Sequence, residues 1–333
     1  MFWLAGLLLP LTLSAWGKEP PKVLTSIKPL QLIAASITEG VTSADVLLPA
    51  GASPHSYSLK PSDARKLYEA DFVFWVGPDM EVFLDKTLSG SIKATSVPLM
   101  QESELKLLKI NEGEEAVHDN HAEENHDDHD GENHDDHDGE SHDDHDGEDH
   151  DDHAGESHHH HGEYDVHIWL SPDNAIAIAK TLSEKLSDLD PAHKKQYTDN
   201  YNAFKKAVQA ADKRNISKLT DYHNQPMFVF HDAYGYLEKH YELNIVDHFT
   251  ANPEQQPGAK HLTQLQEKLK KAGNSCVFRE PQFQPAYIDR IIEGTNANVA
   301  VLDPLATDVA VGPEGYIEFM DSLTNNIISC LKR

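Results

Sequence analysis

The sequence is poor in cysteine, in basic residues and in long apolar stretches. Two of its 333 residues are cysteines, which excludes a dense disulfide scaffold. Lys and Arg number 28 against 56 Asp and Glu, giving a formal net charge of −28. No basic stripe of the kind that binds phosphates is present, so nucleic acid is not an expected partner. Beyond residue 16, no apolar run approaches the ~18 residues of a transmembrane helix.

The amino terminus has the pattern of an export signal. Residues 2–16 are almost wholly apolar, and Lys18 is the first charged residue. Ala15 and Gly17 suit the small-residue positions before a cleavage point. We predict a signal peptide over 1–17 and a soluble, exported mature chain. Because no positive charge precedes the apolar run, a buried N-terminal helix is the alternative.

The two cysteines, Cys276 and Cys330, are 54 positions apart. In an oxidising compartment they most simply form one disulfide, which would join a strand-like run to the last helix-like segment. Closing a loop of that length stabilises a fold by about 4 kcal/mol in the chain-entropy model. A pair of buried free thiols is the alternative.

Most of the acidity lies in one histidine-rich segment. Residues 118–161 hold 14 of the 22 His and 19 of the 56 acidic residues, with no Lys or Arg, so the rest of the chain carries −9. Four octads follow one another from His126. The segment lacks the apolar residues needed to offset ordering entropy. We predict a disordered His/Asp-rich loop, over 112–163, inserted into the first of two lobes.

Elsewhere, strand-like and helix-like stretches alternate, which predicts an α/β fold. Several strand candidates are nearly continuous apolar runs, as in parallel strands buried on both faces. The strand candidates are Val23–Ser26, Asp45–Leu48, Asp71–Val76, His167–Leu170, Met227–Phe230, Ile245–Phe249, Cys276–Phe278 and Val299–Leu302. The helix candidates are Gln31–Thr38, Ser62–Ala70, Asn174–Leu186, Ala259–Ala272 and Pro285–Glu293.

One long helix is predicted between the two halves of the chain. The stretch from Pro191 to Leu219 has no glycine and no interior proline, and Pro191 suits a helix start. We therefore divide the chain into an N-terminal α/β lobe (18–190), a linking helix (191–220) and a C-terminal α/β lobe (221–333).

Three histidines outside the loop follow strand-like runs or precede a helix. His55 lies beyond the strand ending at Leu48, His167 precedes a helix, and His231 follows an apolar strand. Ligands of open α/β sheets bind beyond the carboxyl ends of the strands. Singly, each histidine is more often a hydrogen-bonded structural residue. Three converging imidazoles would suit a borderline divalent ion, chiefly Zn²⁺.

Five motifs make the chain similar to a known family. It resembles the high-affinity zinc-uptake binding proteins of bacterial ABC transporters (ZnuA-like, cluster A-I), and the resemblance runs from about residue 21 to the end. A His/Asp-rich loop before the second histidine is typical of the zinc-specific branch. The motifs lie at Gly51–Asp63, Asp165–Pro172, Phe230–Tyr236, Glu280–Phe283 and Leu302–Leu305.

The resemblance implies two α/β lobes with parallel-type sheets, joined by one long rigid helix, with the metal in the cleft between them. It makes His55, His167 and His231 the metal ligands. The fourth position is Asp303, a water, or a transient loop histidine, since Pro54 stands where some zinc members have glutamate. As groups that hold the ligand rings, the candidates are Glu280, Asp232 and Asp63.

The family also implies a periplasmic, non-enzymatic protein that captures Zn²⁺ for an ABC permease and its ATPase subunit. We expect a monomer. The loop would gather or sense zinc at weak sites, unless it is only a solvated acidic tract. The rival functions are a metalloenzyme, which the absence of HExxH disfavours, and a zinc store. The loop candidates are His126, His129, His134, His137, His142, His145, His150, His153, His158, His159, His160 and His161.

Overall fold

The fold comes from a computed structural model that describes residues 19–90, 92–110, 162–283 and 286–332. The predicted signal peptide, nearly all of the predicted 112–163 insertion and every loop histidine named above lie outside the described residues. Within the described chain, no helix is long and apolar enough to cross a bilayer.

Two four-stranded parallel sheets confirm the predicted α/β fold. The first has the order β2-β1-β3-β4 and the second the order β6-β5-β7-β8. Strands such as Phe72–Trp75 are buried along their whole length, as expected where helices cover both faces of a parallel sheet. The strands are β1 Val23–Thr25, β2 Ala44–Val46, β3 Phe72–Trp75, β4 Thr95–Pro98, β5 Pro226–His231, β6 Asn244–Thr250, β7 Ser275–Arg279 and β8 Ala297–Val301.

Three of the helices have a proline in their first turn, at Pro29, Pro61 and Pro172. In one of them, Pro172 follows Ser171, whose Oγ accepts a hydrogen bond from the N–H of Asn174 at 3.2 Å. Proline suits this position because its missing N–H would be unpaired there anyway, and serine is a favoured N-cap. The α-helices are α1 Lys28–Thr38, α2 Pro61–Glu69, α3 Val82–Leu88, α4 Pro172–Leu189, α5 Lys194–Leu219, α6 Gly235–Tyr241, α7 Ala259–Ala272, α8 Tyr287–Ile292 and α9 Gly315–Leu331.

The predicted strand at His167–Leu170 is wrong. Residues Ile168–Leu170 form a single 3₁₀ turn, in which the N–H of Leu170 donates to the carbonyl of His167 at 3.1 Å. All three turn residues are buried. An apolar run buried on every side has no periodicity that separates a strand from a helical turn.

The long helix is present as α5, with 26 residues. A 3₁₀ turn over Pro191–His193 precedes it, so the proline starts a separate turn rather than the α-helix itself. Helix α5 packs against α1 and α4 of the first lobe and against α9. The proposed lobe boundaries remain predictions, because α9 also contacts α1.

The predicted disulfide is confirmed. Cys276 in β7 is bonded to Cys330 in α9, with Cα atoms 6.0 Å apart. The bond ties the C-terminal helix to the second sheet. Helix α9 also belongs to a hydrophobic core that continues from the first sheet through α1 and α5 into the second lobe.

Candidate metal centre

His231 is positioned by the second sheet. It is the last residue of β5, which pairs with β6 on one side and β7 on the other. The strand brings the imidazole to the carboxyl edge of the sheet, where ligands of parallel sheets bind. Its side chain is 4% exposed.

Glu280 holds the ring of His231. The residue follows β7 directly, and its Oε1 lies 2.7 Å from Nδ1 of His231. An ionised carboxylate only accepts hydrogen bonds, so Nδ1 carries the proton and Nε2 keeps its lone pair. Both side chains are buried. This geometry is that of a carboxylate that fixes the tautomer of a metal-binding histidine.

Tyr234 supports the same carboxylate. Its hydroxyl lies 3.2 Å from Oε1 of Glu280 and 3.0 Å from the carbonyl oxygen of Leu302. Burial, together with the charges of Glu280 and Asp303, raises the pKa of Tyr234 well above its usual value. The phenol therefore stays protonated and donates.

His167 is held by a residue close in sequence. Oδ1 of Asp165 lies 2.7 Å from Nδ1 of His167 and accepts the backbone N–H of the same residue at 2.9 Å. One oxygen thus fixes both the ring and its backbone. Sequence reasoning missed Asp165, although an acidic residue two positions before a candidate ligand was a usable signal.

His55 comes from the loop between β2 and α2. Its backbone N–H donates to Ser53 Oγ at 3.3 Å. In the first turn of α2, Oδ2 of Asp63 accepts bonds from the hydroxyl of Tyr57 and the N–H of Lys60, both at 2.8 Å. Asp63 therefore shapes the loop that carries His55.

The three imidazoles converge. Nε2 of His231 lies 3.4 Å from Nε2 of His167. One ring nitrogen from each of the three, His55 included, lies within 4.8 Å of the others. Two ligands at 2.0–2.1 Å from a tetrahedral Zn²⁺ are separated by about 3.3 Å, which matches the 3.4 Å between the two Nε2 atoms.

Apolar side chains surround the imidazoles. The cleft that holds them is partly open, and about 250 Å³ of space free of protein atoms, open solvent included, lies within it. Apolar surroundings lower the local dielectric constant and so strengthen the electrostatic attraction between a metal ion and its ligands. The apolar lining of the cleft includes Met80, Trp169, Phe283 and Leu305.

Two further predicted site residues, Asp303 and Asp232, have different surroundings. Asp303 accepts bonds from Gln282 Nε2 at 2.8 Å, Leu305 N at 3.0 Å and Thr307 N at 2.5 Å. Among the described residues, the group of converging ligand atoms contains the three histidines and not Asp303. Asp232 has an exposed side chain.

The chain is similar to known proteins over nearly its whole length. The family model described as "ZnuA: Zinc-uptake complex component A periplasmic" matches residues 23–330. The High-affinity zinc uptake system protein ZnuA of Yersinia pestis is 40% identical over 318 residues, which cover 93% of this chain and 91% of that protein. The protein of the same name from Haemophilus influenzae is 42% identical over 313 residues, covering 93% of each.

A solved structure shares the fold. The periplasmic zinc binding protein TroA from Treponema pallidum superposes with a TM-score of 0.70 at 16% identity, covering 94% of this chain and 99% of that one. At this identity the likeness establishes the fold alone.

Proposed function

Since the chain belongs to the family of periplasmic zinc-uptake components, we propose that it captures Zn²⁺ in the cleft between its lobes and delivers it to an ABC permease. The observation that carries the proposal is the convergence of His55, His167 and His231, with two Nε2 atoms 3.4 Å apart. Family membership makes the protein a binding component rather than an enzyme.

The ligand chemistry favours zinc over harder ions. Three neutral nitrogens suit Zn²⁺ better than Mn²⁺, which prefers oxygen. The rings of His167 and His231 have a carboxylate on Nδ1, which raises the basicity of the Nε2 that would face the ion. Copper and nickel also bind such sites, so discrimination against them depends on geometry and on metal supply.

We infer that water is the fourth ligand. Glu280 lines the cleft, and its Oε2 is buried without a hydrogen-bond partner among the described residues. A buried acceptor without a partner is costly, and a zinc-bound water would supply the missing proton donor. Asp303 and a transient histidine of the loop are the alternatives, and a crystal structure at the zinc absorption edge separates the three.

Zinc titration with a competing chelator tests the binding function. We expect one tight site in the wild-type protein and in a variant lacking residues 118–161, and its loss in the variant with alanine at 55, 167 and 231. His240→Ala is the matched control, because that ring also has a carboxylate, Asp212, at 2.7 Å but lies outside the centre. Loss of the tight site on deletion of the loop alone would favour the storage hypothesis instead.

Delivery to a permease and its ATPase subunit and a monomeric state remain proposals drawn from the family. Export through a cleaved signal peptide remains a proposal drawn from the apolar run at residues 2–16. Growth under zinc chelation of a bacterium lacking its own zinc-binding component, with and without this protein, tests delivery. Mass spectrometry of the exported chain tests cleavage after residue 17. Light scattering tests the monomer.

A further inference from the structure

Two chain segments flank the predicted insertion and lie side by side. We call residues 105–109 and 164–167 the stem. The N–H of Asp165 donates to the carbonyl of Leu108 at 2.8 Å, and Lys109 and Tyr164 form an antiparallel bridge. The stem is therefore an ordered pair of segments, and one of them ends at His167.

A tyrosine of the second lobe bonds to both segments of the stem. The hydroxyl of Tyr236, in α6, accepts the N–H of Leu108 and donates to the carbonyl of Asp165, each at 3.0 Å. Burial raises the pKa of Tyr236 to about 12, so the phenol keeps the proton that it donates. One hydroxyl thus links the two segments to each other and to the second lobe.

The neighbouring glycine permits this approach. A Cβ on Gly235 would lie 3.0 Å from Oδ2 of Asp165 and 3.1 Å from Cδ2 of Leu108. Both contacts are tighter than ordinary van der Waals packing. The start of α6 therefore rests directly against the carboxylate that holds His167.

We propose that Tyr236 is a positioning residue for zinc: it holds the stem against the second lobe and so fixes the Asp165 carboxylate that orients the imidazole of His167. The inference rests on the proposed zinc-binding function. It gives the second lobe control over a ligand of the first. Tyr236 has no place in the metal centre itself and acts only through Asp165.

The test compares zinc dissociation constants of the wild type, Tyr236→Phe, Asp165→Ala and the double variant. Substituting a group that bonds directly to a ligand weakens metal binding about 10- to 100-fold. For Tyr236→Phe, one step farther away, we expect a loss of about three- to tenfold. In the Asp165→Ala background the same change should have almost no effect, because the carboxylate that it positions is gone.

Tyr197→Phe is the matched control. That hydroxyl is also buried and donates to a carboxylate, Asp190, at 3.0 Å, but it belongs to α5 and bonds away from the stem. We expect it to lower thermal stability without changing zinc affinity. Gly235→Ala approaches the question differently, since it displaces the Asp165 carboxylate while leaving the Tyr236 hydroxyl in place. It should also weaken zinc binding.

Wild-type affinity in Tyr236→Phe would overturn the inference, as would fold losses that multiply in the double variant. Faster amide exchange at Leu108 in Tyr236→Phe reports whether the bond to the stem has been broken, so an unchanged affinity with faster exchange would be a clear refutation. Failure of the wild-type protein to bind zinc would instead overturn the proposed function, and this inference with it.

Discussion

The two lobes share a strand order but hold polar groups at the sheet edge in different ways. In each sheet the third strand, β3 or β7, is followed by a glutamate buried to within 2% exposure. Glu81 of the first lobe accepts backbone N–H groups of Gly77 at 2.9 Å and Val76 at 3.3 Å. Glu280 of the second lobe accepts the ring N–H of His231.

The two lobes also position their histidine ligands differently. His231 is the end of a strand, and its carboxylate partner is 49 residues away. His167 precedes a 3₁₀ turn, and its partner is two residues away. The second lobe therefore places a ligand through sheet register, and the first lobe places its ligands through local loop structure.

The disulfide links the second sheet, and not the first, covalently to another element of the fold. Its removal is the change for which we expect the largest effect. Replacing both Cys276 and Cys330 by alanine should lower the free energy of unfolding by about 4 kcal/mol, from the entropy of the opened loop. Urea unfolding measures the loss, and reduced wild-type protein is the control. A difference below about 1 kcal/mol would contradict the estimate.

Single ligand substitutions test whether the lobes contribute equally to the ion. Structural zinc sites bind with about 10–16 kcal/mol over four ligands, or about 3 kcal/mol for each. We expect His55→Ala, His167→Ala and His231→Ala each to weaken zinc binding by roughly a hundredfold. Competition titration measures the loss. If one of these variants retained wild-type affinity, the histidine replaced in it would not be a zinc ligand.

The buried glutamate of the first lobe should make stability depend on pH. Burial raises the pKa of Glu81 from 4.5 to about 7, so between these values the folded protein holds a proton that the unfolded chain has lost. The free energy of unfolding should therefore fall, by about 3 kcal/mol from this group, as pH rises from about 4.5 to 7.

Glu81→Gln removes this contribution. The difference in unfolding free energy between wild type and Glu81→Gln should change with pH over this window, whereas substitution of the exposed Glu69 by glutamine should leave the wild-type profile intact. Denaturant unfolding at pH 5 and pH 8 measures both. Parallel profiles for wild type and Glu81→Gln would show that the carboxyl ionises as in the unfolded chain.

Zinc affinity should depend on the glutamate of the second lobe, Glu280, and not on Glu81. Glu280→Ala removes the acceptor for His231 and should weaken zinc binding about 10- to 100-fold. Glu280→Gln, whose side-chain oxygen still accepts from Nδ1, should lose less. Glu81→Gln should leave zinc affinity within about twofold of wild type, because its carboxylate accepts the backbone N–H groups of Val76 and Gly77 rather than the N–H of a ligand imidazole; a larger loss would make both glutamates part of the centre.

Much of the fold was predictable because buried parallel strands are continuous apolar runs. Helix α7 was predicted with its observed bounds, and seven strand candidates lie within about two residues of the observed strands. Strand β4 was not predicted, since Thr95–Pro98 is polar and ends in proline, as an edge strand allows. The sequence also could not separate the turn at Ile168–Leu170 from a strand.

For the site, the sequence singled out the residues that converge but not all that hold them. The convergence of His55, His167 and His231 followed from strand ends and family motifs, and Glu280 was among the candidate ring partners. Asp165 was not, although it stands only two positions before His167. Tyr236 was not either, because its role depends on hydrogen bonds between lobes that no local pattern encodes. Asp303 was singled out by its motif, but a motif position does not determine where the carboxylate of the residue points.

The packing of helix α9 restricts the movements by which the protein can bind and release Zn²⁺. Gly315 approaches so closely that a Cβ there would lie 2.8 Å from Leu32 of α1, while Ser36 Oγ donates to the carbonyl of Pro313 at 2.7 Å. A wide hinge movement would have to break this contact between α1 and α9, so we expect zinc to enter and leave by short displacements of the segments that carry the imidazoles. Small-angle scattering should accordingly give the same radius of gyration with and without zinc, and a marked contraction on loading would refute it.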